Sequence, residues 1–567
     1  MTPIALRYIA DGDEKFSIRR NTQDFAVKVE RQVERVRISI QAKRSITLVS
    51  CSFGKIFHYR RDDRIYLNGY QSWTDTREYS ARENLHNMNR VPNSLKDMYH
   101  FPMYGDEWFW NYRKGRAHSY TYTYIRRENG RGVFIGSYNE QNAYLIIEHR
   151  KKEKEMALIS DCEHRHLEKD EVFVLYDFVY LKGNVQQSVR RYFNYFGTCG
   201  APQVRGYTSW YLDYQDINQE KIENTLDQIN ADEFDLYQID DGYEKFVGDW
   251  LETDPDKFPE GLGGIVEKIH GKGLKAGIWL APFVCELKSR LYTEHPEWVF
   301  REDGKDIFAG SNWSGDVVLD IRRGDVRRYI RKCLEHFMEL GFDFFKLDFL
   351  YAAALIFGSM PGTFKPEGGI DDAETIPVSG EDAPWYGLTR AGIMRKAMEM
   401  LREILGDKLI LGCGVPLSSA FNLVDYCRIG PDVSLKFDDE WYMRPMHRER
   451  VSTKTTLQNT IWRSFMDGKV FRCDPDVFLL RDDHISLSRA QKRALVMLNH
   501  LCGSVFLTSD HVGEYDDDKR ATLAEARRLA GAKIKLISQE KNTVIIFYEV
   551  EGVNEMLTYD REKGILI

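Results

Sequence analysis

The sequence contains no run approaching the ~18 consecutive apolar residues that a helix needs to span a bilayer, so no transmembrane helix is expected. Its start, Met1-Thr2-Pro3-Ile4-Ala5-Leu6-Arg7, reaches Asp11, Asp13 and Glu14 before any apolar stretch of signal-peptide length accumulates. An excess of positive charge is also missing: 79 Lys and Arg stand against 87 Asp and Glu, a net charge of −8. The basic groups at Arg60-Arg61 and Arg150–Lys154 are too short for a nucleic-acid footprint and read as solvated strand or turn faces. Cysteine is sparse and unpaired: nine residues, an odd number with no CxxC, fit reduced thiols in a cytoplasmic protein. There is no internal repeat and no low-complexity segment.

What is present is a long, aromatic-rich chain. At 567 residues it exceeds one ordinary core and implies two to four domains, and 43% apolar content is enough to fill them. Over the first ~200 residues, Phe25–Val29, Val36–Ile40, Ser45–Val49, Tyr120–Tyr124 and Ala143–Ile147 alternate apolar and polar as half-buried antiparallel strands do. A helical pattern first emerges at Val185–Tyr195. These features predict an N-terminal β-sandwich over 1–200. From about Arg205 short apolar segments alternate with helical ones. The strand candidates are Thr208–Trp210, Leu236–Ile239, Ala276–Leu280, Phe344–Leu347, Leu409–Leu411, Tyr426–Ile429, Phe471–Cys473 and Val505–Thr508. Eight strands with intervening helices predict a (β/α)8 TIM barrel over 201–515. The rival, an open doubly wound sheet, wants a Gly-rich phosphate loop after an early strand, and Gly261-Leu262-Gly263-Gly264 follows Pro259-Glu260 instead. Strand-like Thr543–Tyr548 predicts a small C-terminal antiparallel β-domain over 516–567. The Gly-, Pro- and Asp-bearing stretch from Phe357 to Pro384 is expected to form a long loop over the barrel mouth.

A barrel works at the C-terminal ends of its strands. In order, those ends carry Asp240-Asp241, Trp279, Lys346 with Asp348, Cys413, Arg428 with Asp432, and Asp474 with Asp476. No HxH or HExxH stands among them, and His164-Arg165-His166 falls in the N-terminal β-region, so no metal is expected. Alternation along Phe344–Phe349 sends Lys346 and Asp348 the same way, where the lysine lowers the cost of an inward carboxylate and keeps it ionised. That suits a carboxylate nucleophile; a structural ion pair is the plainer alternative. In Arg428-Ile429-Gly430-Pro431-Asp432 a Gly-Pro turn can hold the Asp over the mouth, or simply cap a helix. Two carboxylates from different strands facing one pocket are the apparatus of glycoside hydrolysis. Asp240 and Asp241 suit two neighbouring sugar hydroxyls, or an ordinary turn. Trp279 suits a sugar face or a barrel filling. Cys413 lacks a barrel histidine to activate it.

Six segments then occur in a familiar order: Gln238–Glu244, Gly248-Asp249-Trp250, Gly277-Ile278-Trp279 with Ala281-Pro282, Phe345–Phe349, Gly412-Cys413-Gly414 with Pro416, and Arg428–Asp432. Together they resemble the α-galactosidases of glycoside hydrolase family 36, the melibiase type, across about Ser209 to Asp476. Asn68-Gly69-Tyr70-Gln71-Ser72-Trp73 is also similar to a family segment that reaches toward the active site. The resemblance implies a retaining exo-α-galactosidase with Asp348 as nucleophile and Asp432 as acid/base. It implies that Asp240 and Asp241 bind the O4 and O6 hydroxyls and that Lys346 binds hydroxyls beside the nucleophile. Cys413 and Arg428 would lie near O2 and the acid/base loop, Trp279 in the pocket wall, and Trp73 nearby. No cofactor is implied; the partner is a small α-galactoside, with no nucleic acid and no membrane.

The chain departs from the family at Leu417–Ala420 and at Ser434–Asp439, positions expected to face the leaving group or a 2-substituent. An α-N-acetylgalactosaminidase or an α-galactosyl transferase therefore stays open on the same scaffold, as does a non-catalytic carbohydrate-binding protein.

Overall fold

A computed structural model of the chain describes residues 3–85, 92, 94–95, 114–356, 380–438 and 451–567. Most of the expected long loop, 357–379, lies outside these residues, as does Asp439.

The alternating segments of the N-terminal region pair into two antiparallel sheets of six and seven strands. Residues such as Leu6, Tyr8, Ile40, Leu48, Phe53, Leu158 and Phe178 fill the space between them. The stretch Tyr120–Tyr124, read above as one strand, is two. Thr121 adopts a left-handed backbone (φ 66°). It separates Arg116–Tyr120 in one sheet from Tyr122–Arg126 in the other. Its hydroxyl donates to Glu140 at 3.0 Å, which holds the corner.

The helix Val185–Asn194 turns one face inward, with Val185, Val189, Tyr192 and Phe193 buried. At ~1.5–3 kcal/mol for each large apolar side chain, that face docks the helix firmly. It joins Tyr122 and Phe134 of the seven-stranded sheet to the core that continues into the barrel.

The barrel strands are β1 (Val204–Thr208), β2 (Leu236–Ile239), β3 (Lys275–Leu280) and β4 (Phe344–Leu347), then β5 (Leu409–Gly412), β6 (Tyr426–Arg428), β7 (Arg472–Asp474) and β8 (Val505–Thr508). All run parallel, in sequential order from β1 to β7, with β8 beside β1. Closure between β7 and β8 comes from Ser504 N–H donating to Cys473 O at 2.9 Å and a parallel bridge between Val477 and Leu507. Strands buried on both faces read as continuous apolar runs, which is why Phe344–Leu347 shows so little polar interruption. The first candidate strand shifts: the strand ends at Thr208, and Trp210 already begins a helical turn. A four-stranded antiparallel sheet, Lys533–Glu540, Thr543–Val550, Val553–Asp560 and Ile565–Leu566, ends the chain. Among the described residues, no helix is long and apolar enough to cross a membrane.

Candidate active site

Asp348 is the first residue past β4. Its backbone N–H still donates to Leu280 O of β3 at 2.8 Å, so it stays on the barrel rim. The next residue, Phe349, has a left-handed backbone (φ 52°). A bulky side chain in that region costs of order 1–3 kcal/mol and persists only where its surroundings fix it. Here Phe349 is wedged among Trp313, Trp73 and Tyr351, at centroid distances of 5.2, 6.0 and 6.1 Å. The turn aims the Phe349 N–H at Asp348 Oδ1 (2.7 Å), while Trp279 Nε1 donates to Oδ2 (3.2 Å). Trp279 is buried, with its ring packed on Trp250 and Trp313, so it fills the barrel top and holds Asp348 at once.

Lys346 feels the Asp348 charge, as the strand alternation suggested, but its direct contact is elsewhere. Its ammonium contacts Asp240 Oδ2 at 2.7 Å. Asp240 is 2% exposed and also accepts from Gln238 Nε2 (2.8 Å), Thr208 Oγ1 (3.3 Å) and the Asp241 N–H (3.0 Å). Burial works against the Asp240 charge, but Lys346 and these donors outweigh it and hold the carboxyl below the usual range. Burial likewise opposes the Lys346 charge, and Asp240 reverses the balance upward. The reason is position: β2 and β4 both flank β3, and their ends converge across it. Asp241, 4% exposed, accepts from Gln215 Nε2 and Trp313 Nε1, both at 2.9 Å. Burial raises its carboxyl and raises that of neighbouring Glu244 much further, with the Asp241 charge adding to the push on Glu244.

Asp432 hangs from the turn after β6. Gly430 lies so close to the helix Thr453–Arg463 that an added Cβ would sit 3.3 Å from Thr456 Cα, and Thr456 Oγ1 donates to Pro431 O at 2.7 Å. Arg428 Nη1 reaches Asp432 Oδ1 at 2.8 Å, its Nε reaches Asp474 Oδ2 at 2.9 Å, and its Nη2 stands 2.7 Å from Asp476 Oδ1. The Asp432 side chain is 49% exposed, with Lys346, Asp348 and Asp240 near enough to act on it. Burial pushes its carboxyl up; Arg428 and Lys346 oppose, and the charges of Asp348 and Asp240 add to the rise. The two carboxylates of the sequence argument therefore feel one another and are held differently: one by neutral N–H donors, the other beside a shared cation.

Trp73 is carried to this mouth by the N-terminal region. Arg463 donates to Ser72 O (2.6 Å), Gln71 O (2.9 Å) and Ile429 O (2.7 Å), so one guanidinium ties the Trp73 segment to the Asp432 turn. Asn459 Nδ2 adds Ser72 O (2.9 Å) and Thr74 O (3.1 Å). Cys413 is buried, and burial and then the Asp348 charge push its thiol well above the usual range, which removes it as a nucleophile at neutral pH. Within Leu417–Ala420, the Ser419 hydroxyl lies 3.3 Å from Tyr144 OH of the N-terminal region.

Sequence reasoning missed Trp313, Gln215, Arg463 and Asn459. Trp313 lies in the excursion between β3 and β4, where Trp298 is an equally good candidate by composition, so nothing in the spacing marks it. Among the described residues no group of His, Cys, Asp and Glu is placed to hold a metal ion.

A parallel eight-stranded barrel with an acidic C-terminal rim and carboxylates at the ends of β4 and β6 is an arrangement that glycoside hydrolases use. Residues 205–353 match the family model described as Melibiase. The "Alpha-galactosidase AgaA" of Geobacillus stearothermophilus is 32% identical over 129 residues, which are 22% of this chain and 17% of that protein. The "Alpha-galactosidase 1" of Pediococcus pentosaceus is 30% identical over 138 residues, 23% of this chain and 18% of that one. The matched stretch thus spans under a fifth of either relative. The fold match is far broader. TtGalA, an α-galactosidase from Thermus thermophilus solved with p-nitrophenyl α-D-galactopyranoside, superposes with a TM-score of 0.70 at 23% identity. It covers 97% of this chain and 98% of its own. The GH36 α-galactosidase AgaA structure gives a TM-score of 0.60 at 13% identity, covering 92% of this chain and 70% of its own. The sequence likeness to the Melibiase model is thus confined to the first half of the barrel, and the likeness over the whole chain is one of fold.

Proposed function

We propose that this chain is a retaining exo-α-galactosidase that releases terminal α-linked galactose from small oligosaccharides. One observation carries the reading: Asp348, held by neutral N–H donors, lies near enough to Asp432 for its charge to add to the burial that pushes the Asp432 carboxyl toward its protonated form. Asp432 gives its proton to the glycosidic oxygen as the C1–O bond breaks, and an Asp348 oxygen bonds to C1 on the opposite face. Asp432, now a carboxylate, takes a proton from water, whose oxygen displaces Asp348 and restores the α configuration. Trp279 Nε1 and the Phe349 N–H fix the attacking carboxylate before substrate arrives. Asp240 and Asp241 provide carboxyl oxygens as acceptors for ring hydroxyls. The galactoside ligands of TtGalA, p-nitrophenyl α-D-galactopyranoside and stachyose, support galactose as the sugar. Nine free cysteines, eight of them buried, support a reducing, cytoplasmic setting.

The test is direct. Incubated with p-nitrophenyl α-galactoside and followed by proton NMR, the protein is expected to release α-galactose first, with the β anomer growing in later by mutarotation. Faster turnover of the 2-acetamido analogue would move the assignment to α-N-acetylgalactosaminidase, and β-galactose as first product would end the retaining scheme. A second measurement bears on Trp279. Trp279→Phe keeps a ring but deletes the one side-chain donor that, among the described residues, reaches Asp348. A hydrogen bond to a charged group is worth ~1.5–3 kcal/mol, so kcat/KM should fall about 10–100-fold. A change under about threefold would show that the indole acts by bulk alone.

A further inference from the structure

The Arg428 guanidinium is divided three ways. Its Nη1 contacts Asp432, its Nε Asp474 and its Nη2 Asp476. Asp474 and Asp476 are almost wholly buried, and the assigned mechanism uses neither. Asp476 has further partners: its Oδ2 accepts the Val433 N–H at 2.7 Å, one residue past Asp432, and also the Tyr211 hydroxyl. Its own N–H donates to Asp474 Oδ1 at 2.8 Å. It holds these contacts from a left-handed backbone (φ 72°), a conformation that calls for a local reason. A single cation facing three carboxylates cannot neutralise all of them, so the cluster favours keeping a proton.

We propose that Asp476 is a positioning residue for the acid/base Asp432: by taking one corner of Arg428 and the Val433 N–H, it leaves Asp432 only the Nη1 corner and so lets that carboxyl carry the proton for the leaving group. The inference rests on the α-galactosidase reading above. The charges around the two groups agree with it. From β6 comes Arg428, from β7 Asp474, and from the turn after β1 Tyr211 and Tyr214, both of which feel Asp432 and Asp476. Across the mouth Asp432 meets Lys346, Asp348 and Asp240, and Cys413 from the end of β5. Burial lifts Asp476 itself to about 7 against the pull of Arg428, so its charge competes with that of Asp432 in the upper part of the neutral range.

Asp476→Asn tests this, because Asn tolerates a left-handed backbone as Asp does and can still accept from Val433. With Asp476 neutral and Asp474 still on the Nε, Arg428 turns more of its charge on Asp432, which then loses its proton at lower pH. For an alkyl α-galactoside, whose leaving group needs the acid, the basic limb of kcat/KM against pH should move down by about one unit, an approximately tenfold loss above the limb. For 2,4-dinitrophenyl α-galactoside, whose leaving group departs unaided, kcat/KM should change less than about threefold. Asp474→Asn removes a charge from the Arg428 Nε and should shift the limb in the same direction, so a folding failure in one variant leaves the other to decide. An unmoved limb with both substrates slowed alike would overturn the inference while the enzyme reading stands. Absence of turnover by the wild-type chain would overturn the enzyme reading, and the inference with it.

Discussion

Asp348→Gly is expected to lower turnover of aryl α-galactosides by about 10^4–10^6-fold, and azide is expected to restore a measurable part of it. The substitution removes the group proposed to bond C1 and leaves a cavity of carboxylate size. The Trp279 Nε1 and Phe349 N–H donors that held Asp348 remain to receive an anion there. Azide entering that cavity attacks C1 from the face Asp348 used, so the product is β-galactosyl azide. The Asp432 side is untouched and protonates the leaving group as before. The product matters more than the rate, because a merely damaged site slows catalysis without making an azide of inverted configuration. Turnover within about tenfold of wild type, or rescue giving the α-azide, would remove Asp348 from the role.

Much of this was legible in the sequence because the barrel's chemistry is punctuated. Strand ends are where an apolar run meets a polar residue, and Ile239-Asp240-Asp241, Leu347-Asp348 and Ile429–Asp432 carry that mark plainly. What a linear pattern cannot give is who faces whom. Alternation put Lys346 and Asp348 on one side of a strand that in fact ends at Leu347, and Lys346 instead bonds across the barrel to Asp240. The strand read through Tyr120–Tyr124 failed for a similar reason, since a left-handed threonine leaves no trace in hydropathy. Arg463 and Asn459 are interior residues of a helix whose role is set by a segment almost 400 positions away, as the Asn459–Ser72 bond shows. Only the folded chain reveals such pins.

The second large effect expected is on stability. Lys346→Met should destabilise the protein by about 3–5 kcal/mol at neutral pH, since it leaves the Asp240 charge buried without a counter-ion. In the wild-type chain the Asp240 carboxyl is held below its usual range, so its contribution is fully present above the unfolded value of about 3.9 and is lost only as pH falls through the lower folded value. Without Lys346, burial acts almost alone and the folded carboxyl rises above its unfolded value. The native state then favours the neutral acid, and the deficit grows as pH rises from about 4 toward 7. Guanidinium unfolding at pH 5 and pH 7 therefore distinguishes this account from a simple loss of packing, which would be the same at both. The double variant Asp240→Asn/Lys346→Met, which buries neither charge, should recover a good part of the loss and remove its pH dependence. A single variant as stable as wild type at pH 7, or a deficit that grows toward acid, would mean that the Asp240 charge is stabilised by Gln238, Thr208 and the Asp241 N–H rather than by the lysine.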